Sequence, residues 1–272
     1  GYAPKDQVAA LRAEVVRTGD AKPQPAYERK GKDYALLFAT SDYDDPNWPH
    51  LPNPVNDAEA LKQVLETKYG FIVDLRKNQT KREIYDTLVE YANKTFGDDD
   101  QVFIFFAGHG TFDKNLNEGF VVAKDSRSKA DDPMRDTCLR HAYIYKLADQ
   151  IKCPHVLVTL DVCFGGTFGY TARSGDEYQR AAPLKQIADA MKQRCRKWLT
   201  SGGEQYVYDG SGDHSPFAYW LLETLRKGGE DGLVLFEDLT RAARKVNLNQ
   251  QPKWGDFPTN VPGSDFVFIA KS

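Results

Sequence analysis

The chain has 272 residues, of which 41% are hydrophobic and 28% charged, enough to bury a sizeable core and too apolar for a disordered polymer. A formal net charge of −3 and a pI near 6.0, with basic residues scattered among acidic ones, leave no electrostatic footprint for nucleic acid or an anionic membrane. No stretch approaches the roughly 18 uninterrupted apolar residues of a membrane helix, and the opening GYAPKDQVAALRAEV lacks the basic and apolar regions of a signal peptide. Cys138, Cys153, Cys163 and Cys195 are too few and too irregular for a disulfide framework, which points to a reducing, cytoplasmic setting.

In chain order, Lys5 to Arg17 have helical composition with Val8, Leu11 and Val15 on one face, and TGDAKPQPAYERKGK after them reads as a linker. Residues 1–31 are therefore expected to form an N-terminal helix and linker, a possible pro-segment, and 32–272 the main domain. Tyr34 to Ala39 (YALLFA) is a short apolar strand. NDAEALKQVLETKYG follows with Ala58, Leu61, Val64 and Leu65 at helical spacing and Gly70 as its stop. FIVDL from Phe71 is a second strand, and Thr80 with Glu83 forms a capping box for a helix buried through Ile84, Leu88 and Tyr91.

Two fully apolar runs come next, QVFIFFAGHGTF (101–112) and HVLVTLDVCFGGTF (155–168). Each reads as a central strand that ends in a reactive side chain beside glycine: His109 in the first, Cys163 in the second. RKWLTSGG from Arg196 is a fifth strand, Ser215 to Arg226 and Phe236 to Val246 are helical, and FVFIA from Phe266 closes the chain as a strand. Strands alternating with helices predict an α/β fold with a mostly parallel sheet covered on both faces.

Ligands of such sheets sit beyond the carboxyl ends of the strands, where His109 and Cys163 both lie. A thiol needs a neighbouring base to become a strong nucleophile, and a histidine on the next strand end supplies one. The glycines expose backbone N–H groups, and those of Gly110 and Cys163 are placed to receive a developing oxyanion. Taken singly, a buried cysteine or a His-Gly pair is more often structural. Jointly, at two strand ends 54 positions apart, they indicate nucleophilic catalysis.

GHG at 108–110 with DVCFGG at 161–166 resembles the caspase and metacaspase superfamily of cysteine peptidases, in particular bacterial caspase-like members. LPNPVNDAEAL (51–61), KYGF and DHSPFAYWLLETL (213–225) match other segments of that family in order and spacing, so the resemblance covers about residues 32 to 270. It implies a caspase-like three-layer sandwich, a mostly parallel six-stranded sheet flanked by helices, and peptide-bond hydrolysis by Cys163 with His109 as base and acid. It implies no metal or other cofactor. Asp161 stands where true caspases carry Gln and metacaspases carry Asp, and a carboxylate at the pocket floor favours Arg or Lys before the cut. Helix capping or support of the loop is the other reading of Asp161. Ala107, Glu204 and Gln205 are expected as further pocket walls, and the acidic loop Asp42, Asp44 and Asp45 as a possible addition. Arg173, Arg180 and Lys185 are candidate self-cleavage positions, in a linker that also reads as an ordinary surface loop. Asp98 to Asp100 and Asp131 with Asp132 follow no calcium-loop spacing and read as turns.

Three rival readings stay open. One is a zinc site from Cys138, His141, Cys153 and His155. Another is a catalytically silent adaptor or sensor, and the third an aspartate-specific protease. The resemblance to metacaspases favours a monomer acting on polypeptides, with an upstream sensor or regulatory partner as a further expectation.

Overall fold

The computed structural model describes residues 29–163, 168, 184–202, 212–229, 232–246 and 251–271. Its centre is a six-stranded sheet. Five strands run parallel: β1 (Asp33–Ala39), β2 (Ile72–Lys77), β3 (Gln101–Gly108), β7 (His155–Val162) and β8 (Cys195–Thr200). The sixth, β10 (Lys253–Asp256), lies antiparallel on β8, and the spatial order is β10-β8-β7-β3-β1-β2.

Alternation along the strands divides the core into two layers. Leu37, Phe103, Phe105, Leu157 and Leu199 face one side, against α1 (Asn53–Tyr69), α5 (Pro216–Lys227) and α6 (Phe236–Ala243). Leu36, Phe38, Ile104, Phe106, Val158 and Leu160 face the other, against α2 (Lys81–Asn93) and α3 (His141–Gln150). With both faces covered, β3 and β7 have no wet side, which is why their sequences are predominantly apolar, the polar Gln101, His155, Thr159 and Asp161 being buried as well. The remaining described elements are a three-stranded sheet of β4 (Gly110–Asp113), β5 (Glu118–Val121) and β6 (Leu139–Arg140), the short helix α4 (Leu184–Ala190), and β9 (Leu233–Leu235) paired with β11 (Val267–Ile269).

The expected helix stripes hold: Ala58, Leu61, Val64 and Leu65 are buried in α1, and Ile84, Leu88 and Tyr91 in α2. Gly70 ends α1 at φ 68°, a left-handed conformation that only glycine adopts without strain. Thr80 and Glu83 cap α2 reciprocally. Two expectations are corrected. The helix α1 begins at Asn53, before the expected Asn56, because proline is tolerated in a first turn whose N–H groups have no helical partner. The closing segment pairs with β9 outside the main sheet, and the sixth place goes to KWGD of β10, an edge strand with no apolar run to betray it.

Arg196 anchors the end of the sheet remote from the glycines. It is fully buried, and its guanidinium donates to the carbonyls of Ile151 (2.6 Å), Cys153, Pro154 (2.9 Å) and Cys195 (2.9 Å). Burial pushes its pKa down to about 10, so it remains a cation held by carbonyl dipoles. It ties the turn after α3 to β8.

Among the described residues no helix is long and apolar enough to cross a membrane.

Candidate active site

The site begins as a question of register. Gln101 faces His155, Ala107 faces Asp161 and Gly108 faces Val162, an offset of 54 residues throughout the β3–β7 ladder. His109 and Cys163 are the residues that directly follow this last pair, one on each strand. The backbones confirm the approach: a Cβ on Gly110 would lie 2.0 Å from the Cys163 carbonyl oxygen, so only glycine lets the two strand ends meet so closely. Gly108 is equally constrained, with φ 148° and a Cβ position 2.9 Å from the Tyr43 hydroxyl.

His109 is held on three sides by the loop that follows β1. Its Nε2 lies 2.8 Å from the Pro49 carbonyl oxygen, which can only accept, so Nε2 carries the proton and Nδ1 is left as the basic nitrogen. Its backbone N–H donates to the Tyr43 hydroxyl (2.8 Å), which donates in turn to the Thr40 carbonyl (2.8 Å). The rings of Tyr43 and Trp48 pack on the imidazole, with centroids 4.9 and 5.6 Å away. Burial lowers the His109 pKa, with the Pro49 carbonyl opposing, and the ring is therefore a neutral base near pH 7.

Cys163 differs from the other three cysteines. Cys138, Cys153 and Cys195 belong to hydrophobic clusters, whereas Cys163, though buried, lies at the turn that ends β7 and in none of them. Burial raises the Cys138 thiol and pushes Cys153 and Cys195 up to about 12, which leaves them inert. The Val122 N–H donates to the His109 carbonyl, which makes Gly110 and Val121 a non-hydrogen-bonded pair of the β4–β5 hairpin. The Gly110 N–H is therefore not spent on that ladder.

Behind the cysteine lies a buried acidic pair. Asp161, on β7 opposite Ala107, accepts the Ser215 hydroxyl at Oδ2 (2.5 Å). Its Oδ1 has no hydrogen-bond partner among the described residues. Burial raises the Asp161 pKa; Ser215 opposes, and Ser201 does so without reaching hydrogen-bond geometry. Ser215 caps α5 by accepting from the Ala218 N–H, and its own N–H donates to Oδ2 of Asp57 (3.2 Å). Asp57, on α1, also meets His214 Nδ1 at 2.6 Å. A single residue, Ser215, thus bridges two buried carboxylates from different elements.

His109, Cys163, Gly110, Asp161 and Ala107 gather at the same strand ends. Glu204, Gln205, Arg173 and Arg180 lie outside the described residues. Lys185 falls in the first turn of α4, and a bond there must unwind before a protease can take it as an extended strand. The carboxylates of the acidic loop are spent locally: Asp42 on His50 and Asn78, Asp44 on Lys124, and Asp45 on Asn47 and Ser128. The proposed zinc ligands do not assemble, since no three His, Cys, Asp or Glu side chains among the described residues are grouped to hold a metal. Sequence reasoning missed Pro49, whose contribution is a main-chain carbonyl without a side-chain signature, and Tyr43, Trp48, Asp57, His214 and Ser215. Asp57, His214 and Ser215 lay within quoted segments, but only folding shows that they meet.

The comparisons bear on the whole of this arrangement. The caspase domain model of the Peptidase C14 family matches residues 32–260. A crystal structure of caspase-1 from Spodoptera frugiperda is similar in fold, with a TM-score of 0.60 and 18% sequence identity, over 91% of this chain and 97% of that one. No curated protein sequence matches.

Proposed function

Since the chain belongs to the caspase family of cysteine peptidases, we propose that it is an endopeptidase working through a Cys163–His109 dyad and cutting after Arg or Lys. The observation that supports this reading is the β3–β7 register, whose last pair, Gly108 and Val162, is followed by His109 on one strand and Cys163 on the other, with Gly110 against the Cys163 backbone.

In the first step His109 Nδ1 takes the thiol proton and the sulfur attacks the carbonyl carbon of the scissile bond. The C=O electron pair moves onto oxygen, where the N–H groups of Gly110 and Cys163 receive it. As the C–N bond breaks, the imidazolium returns its proton to the leaving amine, and a thioester remains on Cys163. Water, deprotonated by the same imidazole, then attacks the thioester, and the thiol is restored. The Pro49 carbonyl supports both steps by holding the tautomer and polarising the ring as it charges. The chemistry calls on no metal or other cofactor.

The preference for a cation rests on Asp161 and Asp57. Two buried carboxylates joined by one serine, with Asp161 Oδ1 without a partner among the described residues, form a site that a guanidinium or ammonium group completes and that an aspartate side chain disfavours. The same observation argues against the aspartate-specific reading, and the retention of both His109 and Cys163 argues against a silent adaptor. The Ser215 bond also ties Asp161 to the cap of α5, so a structural role accompanies the recognition role.

The test is labelling with arginyl and aspartyl peptide probes carrying a thiol-reactive group. Rapid uptake of the arginyl probe, lost in Cys163→Ala, is the expected result. Uptake that survives that substitution overturns the nucleophile, and preference for the aspartyl probe overturns the pocket. Intact mass after activation, in wild type and in Arg173→Ala and Arg180→Ala, reports on self-processing.

A further inference from the structure

Asp57 and Asp161 share Ser215, but their surroundings are unequal. Asp161 keeps Oδ1 unpartnered among the described residues, whereas both oxygens of Asp57 are engaged, Oδ1 by His214 and Oδ2 by the Ser215 N–H. Asp57 is itself only 1% exposed, and the His214 side chain, 20% exposed, stands on the solvent side of it. An incoming cation therefore meets one open carboxylate and one already covered by a titratable ring.

We propose that His214 is a specificity-determining residue, the resident partner of Asp57, whose protonation state sets how much negative charge the pocket presents to the substrate side chain. This rests on the basic-pocket reading given above. With a neutral ring donating its Nδ1–H to Asp57, the pair of carboxylates carries its full charge. With a protonated ring the Asp57–His214 unit is neutral as a whole, and the substrate cation is left with Asp161 alone. Proton and substrate thus compete for the same negative charge.

The groups facing His214 define the competition. Asp57 reaches it from α1, and Asp213 precedes it in the chain. Burial first, then Arg226, lower its pKa, and Asp213 opposes. The Asp57 contact works in the same sense as Asp213. The N-terminus of α5, directly after it, disfavours a charged ring. Asp161, bridged through Ser215, is the other carboxylate whose titration acts on the same pocket.

The experiment compares matched tripeptide amides ending in arginine or in citrulline, its uncharged isostere, from about pH 8 to about pH 5. The ratio of their kcat/KM values cancels the ionisations of Cys163 and His109 and reads only how the pocket values a charge. In the wild type the ratio is expected to fall roughly tenfold across that window, the effect of about one pKa unit of coupling. In His214→Asn, which keeps a donor toward Asp57 and cannot titrate, the ratio should be flat. A variant that retains the wild-type slope overturns the inference and assigns the slope to Asp161, and a flat wild-type ratio overturns it directly. Absence of any preference for arginine at every pH removes the basic-pocket reading together with this inference. A second measurement needs no variant. The His214 ring, followed by NMR in the wild type, should titrate at lower pH when an arginyl aldehyde is bound than when a citrullyl aldehyde is bound, because the coupling is reciprocal. Identical titrations with the two aldehydes refute it.

Discussion

Replacing Gly110 with alanine tests the close approach on which the dyad depends. The new methyl carbon would fall 2.0 Å from the Cys163 carbonyl oxygen, 2.9 Å from its carbon and 3.0 Å from its nitrogen, all backbone atoms that no rotamer change can move aside. Ordinary contact begins near 3.4 Å, so the strand ends must part by about 1.4 Å or distort to an equal extent. Overpacking of this kind costs about 1–3 kcal/mol in stability. Displacing a catalytic group by about 1 Å costs roughly a hundredfold in rate. The substitution leaves the Gly110 N–H in place, so its effect reads geometry and not the loss of a donor. We expect inactivation by an arginyl chloromethyl ketone to slow by about a hundredfold, with a melting temperature lower by roughly 2–10 °C. A variant that melts normally and is inactivated within about threefold of the wild-type rate would mean that the two strand ends do not meet in this way.

Four further outcomes are expected. Under native conditions iodoacetamide should modify Cys163 far faster than Cys138, Cys153 and Cys195, whose thiols burial holds protonated; peptide mapping that finds a second fast site contradicts this. Acid should destabilise the fold through His141, fully buried, whose pKa burial lowers to about 3. Between about pH 6.5 and that value the unfolded ring binds a proton that the folded ring refuses, so stability is complete above 6.5 and falls as pH drops, by about 2 kcal/mol at pH 5. Urea titrations at pH 7.5 and 5 measure the loss, and His141→Leu should remove its share. Arg196→Met strands four carbonyl acceptors and should cost about 3–5 kcal/mol by urea unfolding, where a loss below about 1 kcal/mol would deny the clamp. Asp161→Asn should lower kcat/KM for arginyl substrates about a hundredfold while leaving the melting temperature unchanged or higher, since burial disfavours the charged form of the carboxyl; equal cleavage by the variant would end its role in recognition.

The sequence carried the central strands and the two reactive residues because parallel strands covered on both faces must be apolar, and an interruption by His109 or Cys163 stands out against them. Helix stripes and the Thr80 cap were legible for the same local reasons. β10 was not, because a short edge strand with one solvated side has no pattern distinguishing it from a loop. Nor was the hairpin after His109, whose Asp113 and Asn115 turn resembles many others. In the site, Cys163 and His109 could be paired by analogy in spacing, but the tautomer depends on a carbonyl in the β1–α1 loop. The acidic pair depends on α1 and α5 meeting across more than 150 residues. Such long-range contacts exist only in the folded chain.

Because the two reactive residues each follow the last rung of one ladder, Gly108 against Val162, the chain length between them is uncoupled from their alignment. Insertions into the β4–β5 turn or the loop between Val121 and Leu139 lengthen a detour and leave the rungs untouched. Deleting one residue inside β3 or β7 has the opposite consequence: it turns the side chains beyond it to the other face of the sheet and shifts imidazole against sulfur by a full rung. Length variation in this architecture is thus free in the detours and forbidden in two eight-residue segments.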